Sequence, residues 1–233
     1  MVVDNEALVL LLFDIDGTLL QKASREHVSA MHAALQRVYG LTRPARVEAA
    51  GRTDLDIARH IALLAGIPAV SFDDGVGDLQ VAVAEEYARL VPDDLSDRVA
   101  PGVCDLLEEL AQRGDVLLSL VTGNLEPVAR MKLRSAGIGG HFPAGQGGFG
   151  SDHEDRTELP AIARARAGAD GEDHPRERTL VIGDTPRDIA CARADGVRCV
   201  AVAGGPYRPE ELVDADAVAS DARSLLGAIE SFL

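Results

Sequence analysis

After Pro101 and Gly102 the chain alternates short apolar runs with amphipathic stretches, and this alternation limits the possible folds more than any other feature. A helical pattern from Val103 leads to a strand over Val116 to Val121, one from Glu126 to a strand over Thr179 to Ile182, and one from Pro186 to a strand over Arg198 to Val202. Strands that alternate with helices pair in parallel through crossover connections, so a parallel sheet covered on both faces is expected. Ala7 to Phe13 adds an uninterrupted apolar run of the kind a strand shows when both its faces are buried. Between Ser24 and about Val91 the spacing is helical, with Val28, Met31, Leu35 and Val38 on one face and Ile57, Ile61 and Leu64 on another. The expectation is a Rossmann-like, doubly wound α/β core over 1–20 and 97–233 with an all-helical insertion over 21–96.

Composition narrows the partners. A length of 233 residues suffices for a large core, and 46% apolar with 26% charged residues is ordinary for a folded globular chain. The formal net charge of -15 works against binding nucleic acid or an anionic membrane, both of which call for clustered Lys and Arg. No apolar run approaches the roughly 20 residues of a membrane span, and the acidic start Asp4-Asn5-Glu6 lacks the basic character of a secretory signal, so a cytoplasmic monomer or homodimer is expected. Cys104, Cys191 and Cys199 have no metal-ligand spacing and are expected as small buried apolar residues. Only two lysines occur, Lys22 and Lys132.

Ligands of open parallel sheets sit beyond the carboxyl ends of the strands, so the polar residues directly after each apolar run are the candidates for chemistry. The first run is followed by Asp14 and Asp16, the second by Thr122, Gly123 and Asn124, and a later one by Gly183, Asp184, Thr185 and Asp188. Residue alternation sends Asp14 and Asp16 to the same side, and carboxylates crowded together at low dielectric repel unless a cation joins them. An oxygen-rich set of this kind suits Mg²⁺. Taken alone, each motif has a plainer reading: Asp in a turn, Gly and Asn chosen for backbone freedom, and Thr185, Pro186 and Asp188 as a helix cap.

Together and in this order, Asp14-Ile15-Asp16-Gly17-Thr18, Thr122-Gly123-Asn124 and Gly183-Asp184-Thr185-Pro186-Arg187-Asp188 resemble the haloacid dehalogenase-like (HAD) hydrolase superfamily. The helical insertion after the first motif resembles the cap of the branch that holds phosphoglycolate phosphatases and β-phosphoglucomutases. The resemblance implies that Asp14 is the nucleophile, that Asp16 is the general acid and base, and that Asp14, Asp184, the Asp16 carbonyl and, through water, Asp188 hold Mg²⁺. It gives phosphoryl-binding roles to the Thr122 hydroxyl and the backbone N–H groups of Gly123 and Asn124, and a close turn to Gly17. A small phosphorylated metabolite, phosphoglycolate-like, is the implied substrate. A phosphosugar mutase would use the same carboxylates, and a non-catalytic ligand sensor would be expected to have lost one of them. A dehalogenase is disfavoured by Asp16, and a phosphonatase by the lack of a suitable cap lysine.

The chain departs from the family in having no lysine after Lys132, where the family places a cation beside the nucleophile. Arg156 is expected in that role, although its planar fork differs from an ammonium. Lys132, beside Met131 and Leu133 in an amphipathic stretch, is expected at the surface. Asp152-His153-Glu154-Asp155 is expected to be a solvated acidic loop, Gly145 to Gly150 a loop over one edge of the site, and His27, His32, His60, His141 and His174 surface or helix-face residues. In the insertion, Gly51-Arg52-Thr53-Asp54 resembles a cap loop that faces substrate. Arg52 there has two open readings: a reader of a second anionic group, or a solvent-exposed neighbour of an N-cap at Thr53.

Overall fold

The protein, in a computed structural model, is described over residues 8–233, so Ala7 of the leading apolar run lies outside the described residues. Strands β1 (Val9–Phe13), β2 (Val116–Thr122), β3 (Gly148–Phe149), β4 (Thr179–Gly183), β5 (Arg198–Val202) and β6 (Ala217–Ala219) form one sheet. Their order is β3-β2-β1-β4-β5-β6, with every neighbouring pair parallel. The sequence reading holds for four of these strands. It missed β3, which lies within the glycine-rich stretch taken for a loop, and β6, since runs of two or three residues are too short to show a period.

The helices are α1 (Arg25–Tyr39), α2 (Asp54–Leu64), α3 (Ala69–Leu90), α4 (Val103–Gln112), α5 (Glu126–Ser135), α6 (Leu159–Ala167), α7 (Pro186–Asp195) and α8 (Ala222–Glu230). β1 is buried along its whole length because both faces are covered. Val9, Leu11 and Phe13 join the apolar cluster that includes Leu107 of α4 and Leu225 of α8, while Leu10 and Leu12 join Ala163 of α6 and Ile189 of α7. Truncating Leu11 to Ala in such a position costs about 2 to 5 kcal/mol. The chain turns outward in both directions from β1, to β2 on one side and β4 on the other, and that switch opens a crevice beyond the strands' carboxyl ends.

Helices α1 to α3 build a second apolar core from residues such as Leu35, Leu55, Phe72 and Tyr87, and Leu125 and Val128 at the start of α5 join it. The insertion is thus packed onto the sheet unit through α5. Its two connecting segments run side by side, with Gln21 N donating to Arg98 O at 2.7 Å and Ala100 N to Leu19 O at 2.9 Å. Four side chains depart from expectation. Leu64 and Val28, read as parts of apolar faces, are exposed, and so is Cys104, which lies off the face of α4 that buries Val103, Leu106, Leu107 and Leu110. His174, expected at the surface, is buried with Nδ1 3.3 Å from Thr179 Oγ1. No helix among the described residues is long and apolar enough to cross a membrane.

Candidate active site

Asp14 continues directly from β1, and its backbone N–H donates to Ile182 O at 2.8 Å, which fixes it at the carboxyl edge of the sheet. Asp184 follows β4, Asp188 lies in the first turn of α7, and Arg156 comes from the turn before α6. All four side chains are buried. Arg156 Nη2 is 3.2 Å from Asp14 Oδ1 and also donates to Asp188 Oδ1. The second Asp188 oxygen accepts from Thr185 N at 3.0 Å and Thr185 Oγ1 at 2.7 Å, closing a capping box. Asp188 therefore does two things at once: it caps α7 and holds Arg156 against Asp14.

One oxygen each of Asp14, Asp184 and Asp188 lies within 4.8 Å of the others. Burial, then the neighbouring Asp14 and Asp188, push the Asp184 carboxyl up to about 8. Burial, with Asp188 and Asp16 adding to it against the opposing pull of Arg156, pushes Asp14 up to about 6. Asp184 Oδ1 accepts from Thr18 Oγ1 at 3.2 Å, but its buried Oδ2 has no partner. An orphaned carboxylate oxygen among like charges fits a hard divalent cation, whose binding would reverse the repulsion. Gly17, at φ +98°, comes so close that a Cβ there would overlap that oxygen.

Asp16 makes a different set of contacts. Lys132 Nζ is 2.6 Å from Asp16 Oδ2 and 2.7 Å from Asn124 Oδ1, and Asn124 Nδ2 donates to Asp16 Oδ2 at 2.8 Å and to Thr122 Oγ1 at 2.9 Å. Burial by itself would raise the Asp16 carboxyl, yet Lys132, His27 and Asn124 together hold it below the usual aspartate value. The surface placement expected for Lys132 is thus corrected: its side chain is 0% exposed. The signal was helical spacing, since Val128, Ala129, Lys132 and Leu133 share the inward face of α5. A lysine on an apolar face, in a chain with one other lysine, marks a buried partner.

The loop of the insertion sits on the second motif. Asp54 N donates to Gly123 O at 2.8 Å, and Asp54 Oδ2 accepts from Leu125 N at 2.8 Å. A Cβ at Gly123 would overlap the Arg52 carbonyl, so glycine is required there by approach rather than by φ. Thr53 is the N-cap of α2, accepting from Asp56 N at 3.1 Å. Arg52 lines the cavity but is held by Asp56, Nε to Oδ2 at 2.7 Å. His27, expected as a surface or helix-face residue, lies on the buried face of α1 with Nε2 3.0 Å from Asp54 Oδ2. Asp54 closes the Gly51-Arg52-Thr53-Asp54 stretch, but nothing in that pattern reported its contact with Leu125 N or with His27 of α1. The acidic loop is likewise not merely solvated, because Glu154 pairs with Arg59 of α2 at 2.6 Å and Asp152 with Arg166 at 2.7 Å. Asp14, Asp16, Asp184, Arg156, His27 and Asp54 line a cavity of about 770 Å³ that reaches from the carboxyl edge of the sheet to α1 and α2.

With this geometry the relationships of the chain can be placed. The sequence pattern of the haloacid dehalogenase-like hydrolases matches residues 11–193, and the chain belongs to this family of enzymes. It is 31% identical over 228 residues to a phosphoglycolate phosphatase of Rhodospirillum rubrum, covering 92% of this chain and 88% of that one. It is 28% identical over 216 residues to the tyrosine-protein kinase PtkA of Mycobacterium tuberculosis, covering 90% of this chain and 67% of the relative. Its fold is similar to that of a β-phosphoglucomutase from Clostridium difficile, with a TM-score of 0.71 at 16% identity over 97% of this chain and 96% of that one.

Proposed function

We propose that the protein is a Mg²⁺-dependent phosphatase that hydrolyses a small phosphomonoester, phosphoglycolate-like, through an aspartyl-phosphate on Asp14. The observation that carries this reading is the placement of Asp14: buried at the carboxyl end of β1, 3.2 Å from Arg156, and clustered with Asp184, whose Oδ2 lacks a partner. The Asp14 and Asp184 side chains and the Asp16 carbonyl would hold the ion, with Asp188 acting at one remove. Bound Mg²⁺ would neutralise charge on the transferring group.

The chain's own residues supply the remaining chemistry. The Asp14 carboxylate attacks phosphorus, and the P–O bond to the leaving group breaks as Asp16 gives that oxygen a proton. Asp16 then takes a proton from water, which attacks the aspartyl-phosphate and frees phosphate and Asp14. Arg156 keeps a positive charge beside the nucleophile, and Thr122 Oγ1 and the Gly123 N–H bind the phosphoryl oxygens. Lys132 and Asn124 orient Asp16 and favour its carboxylate form, the state that takes the proton from water in the second step; the proton gained there is the one Asp16 gives to the leaving oxygen in the next turnover. The insertion, residues 21–96, closes over the ester and excludes water from the first step, with the paired segments at Gln21 and Arg98 as its hinge.

The test is phosphate release from a panel of small esters that includes phosphoglycolate and hexose phosphates, run with Mg²⁺, with EDTA and with Asp14→Asn. Metal-dependent release that vanishes in the variant supports the reading, and folded protein that releases nothing from any member overturns it. The relatives named as a kinase and a mutase favour a second reading, in which a hydroxyl takes the phosphoryl group in place of water. Phosphorylated acceptor in the products, without free phosphate, would select it.

A further inference from the structure

We propose that the ester carries an apolar leaving group considerably larger than a two-carbon acid, and that Val28, Met31, Val47, Ile57 and Ile61 form its binding wall; this rests on the phosphatase reading and replaces its phosphoglycolate-like substrate with a larger, apolar one. The phosphoryl end is fixed by Asp14, Asp184 and Arg156, which occupy one end of the cavity. The opposite end is the insertion, and there its residues follow helical register. On α1 Val28 and Met31 lie one turn apart, and on α2 Ile57 and Ile61 do the same, so two apolar stripes face the same space with Val47 between them from the preceding loop. Val28 is 47% exposed in a helix that buries Met31 and Leu35. A valine left open at a cavity wall gains by contact with a ligand's carbon, not with water.

The volume points the same way. About 770 Å³ lies within the range that holds drug-sized ligands, roughly 300 to 1,000 Å³, and far exceeds what a two-carbon acid phosphate would fill. Charge completes the argument. A carboxylate or second phosphate on the leaving group would need a cation at this wall, and several of the basic side chains that line the cavity are already engaged. Arg156 lies between Asp14 and Asp188, Arg52 is bound to Asp56, and His27 faces Asp54. Arg46 and Lys22, both exposed, also line the cavity, and the phosphoglycolate arm of the series below tests whether they read a carboxylate. Burial lowers the pKa of His32, which favours its neutral form.

The experiment is the chain-length series ethyl, butyl, hexyl and octyl phosphate, measured beside phosphoglycolate on the full chain with Mg²⁺. The expected result is a kcat/KM that rises about two- to fourfold per methylene, with phosphoglycolate among the poorest substrates. Ile57→Asn should flatten the slope of log kcat/KM against chain length, and Ile57→Leu should restore it. A variant that merely misfolds lowers every member equally and leaves the slope unchanged. A flat or falling series with phosphoglycolate preferred overturns the inference while leaving the phosphatase reading intact. If no ester is hydrolysed, the phosphatase reading fails, and alkylphosphonates of the same lengths still decide the wall: their affinity, read by calorimetry, must rise with length or the inference falls too.

Discussion

Asp14 and Asp16 stand two residues apart after the same strand, yet their surroundings push them in opposite directions. Asp14 lies among carboxylates with one guanidinium against it and is driven up to about 6. Asp16 has an ammonium and an amide N–H on one oxygen and is held below the usual value. The difference shows that charge pattern, not residue type, separates a group that awaits a cation from one that already has one. The largest expected effect breaks the first half of the comparison. Asp14→Asn should lower phosphate release by about 10⁴-fold or more, since removal of a nucleophile leaves only binding and preorganisation. The same change removes a buried like charge, so in EDTA at pH 8 the variant's Tm should exceed that of the parent. Thermal unfolding and phosphate release on one preparation check both.

The Asp14 cluster was legible in the sequence because each member follows a strand, and strand ends can be found from apolar runs. The parallel core and helical insertion were legible for the same reason. Lys132 was not, because its role depends on which face of α5 turns inward, and adjacent Met131 and Leu133 concealed that Val128 and Ala129 set the face. His27 and the contacts of Asp54, though not Asp54 itself, were hidden more deeply. They act through contacts between an inserted helical unit and the second motif, and no local pattern reports how two units dock. Arg156 lay between: a motif gap predicted a cation, but only the fold could show Asp188 holding it in place.

The second half of the comparison can be broken from either side. Asp16→Asn leaves the wholly buried Lys132 ammonium with amide acceptors alone and should cost about 3 to 5 kcal/mol, as removal of one partner strands a buried charge. Lys132→Met strands Asp16 instead, whose side chain is 28% exposed, so water screens it and the cost should be smaller, about 1 to 2 kcal/mol. Urea unfolding of the two variants tests the ordering, and equal costs would contradict the burial difference. Lys132→Met should also move the Asp16 limb of the pH–rate profile to higher pH, because the group that lowers its pKa is gone.

A smaller effect sharpens the comparison by pH. Asp184 is driven up to about 8 and Asp14 to about 6, whereas an aspartate in the unfolded chain titrates near 3.9. Between about pH 4 and 8 the metal-free folded state therefore binds more protons than the unfolded state. Stability must rise as pH falls through that window and be lost as pH rises through it. In EDTA, Tm should climb by several degrees from pH 8 to pH 5. With saturating Mg²⁺ the cluster is held ionised, and the trend should flatten or reverse as protons compete with the ion. Parallel scans with and without Mg²⁺ that superimpose at every pH would remove the ion from the Asp14 cluster.

The smallest expected effect concerns Arg52, the residue most open to two readings. Its Nε is 2.7 Å from Asp56 Oδ2, one turn on in α2, and its side chain is 21% exposed. What the core feels from this position is the backbone, since the Arg52 carbonyl closes over Gly123 whatever the side chain. An i,i+4 pair of this exposure contributes about 0.3 to 0.5 kcal/mol. Arg52→Ala should therefore shift stability by less than about 0.5 kcal/mol and raise the KM for an ester bearing a carboxylate by no more than about twofold. If Arg52 instead leaves Asp56 to bind that carboxylate in a bidentate pair, the KM for phosphoglycolate should rise tenfold or more while that for an alkyl phosphate stays level. The ratio of the two KM changes distinguishes a side chain held by Asp56 in the first turn of α2 from one that reads the ester.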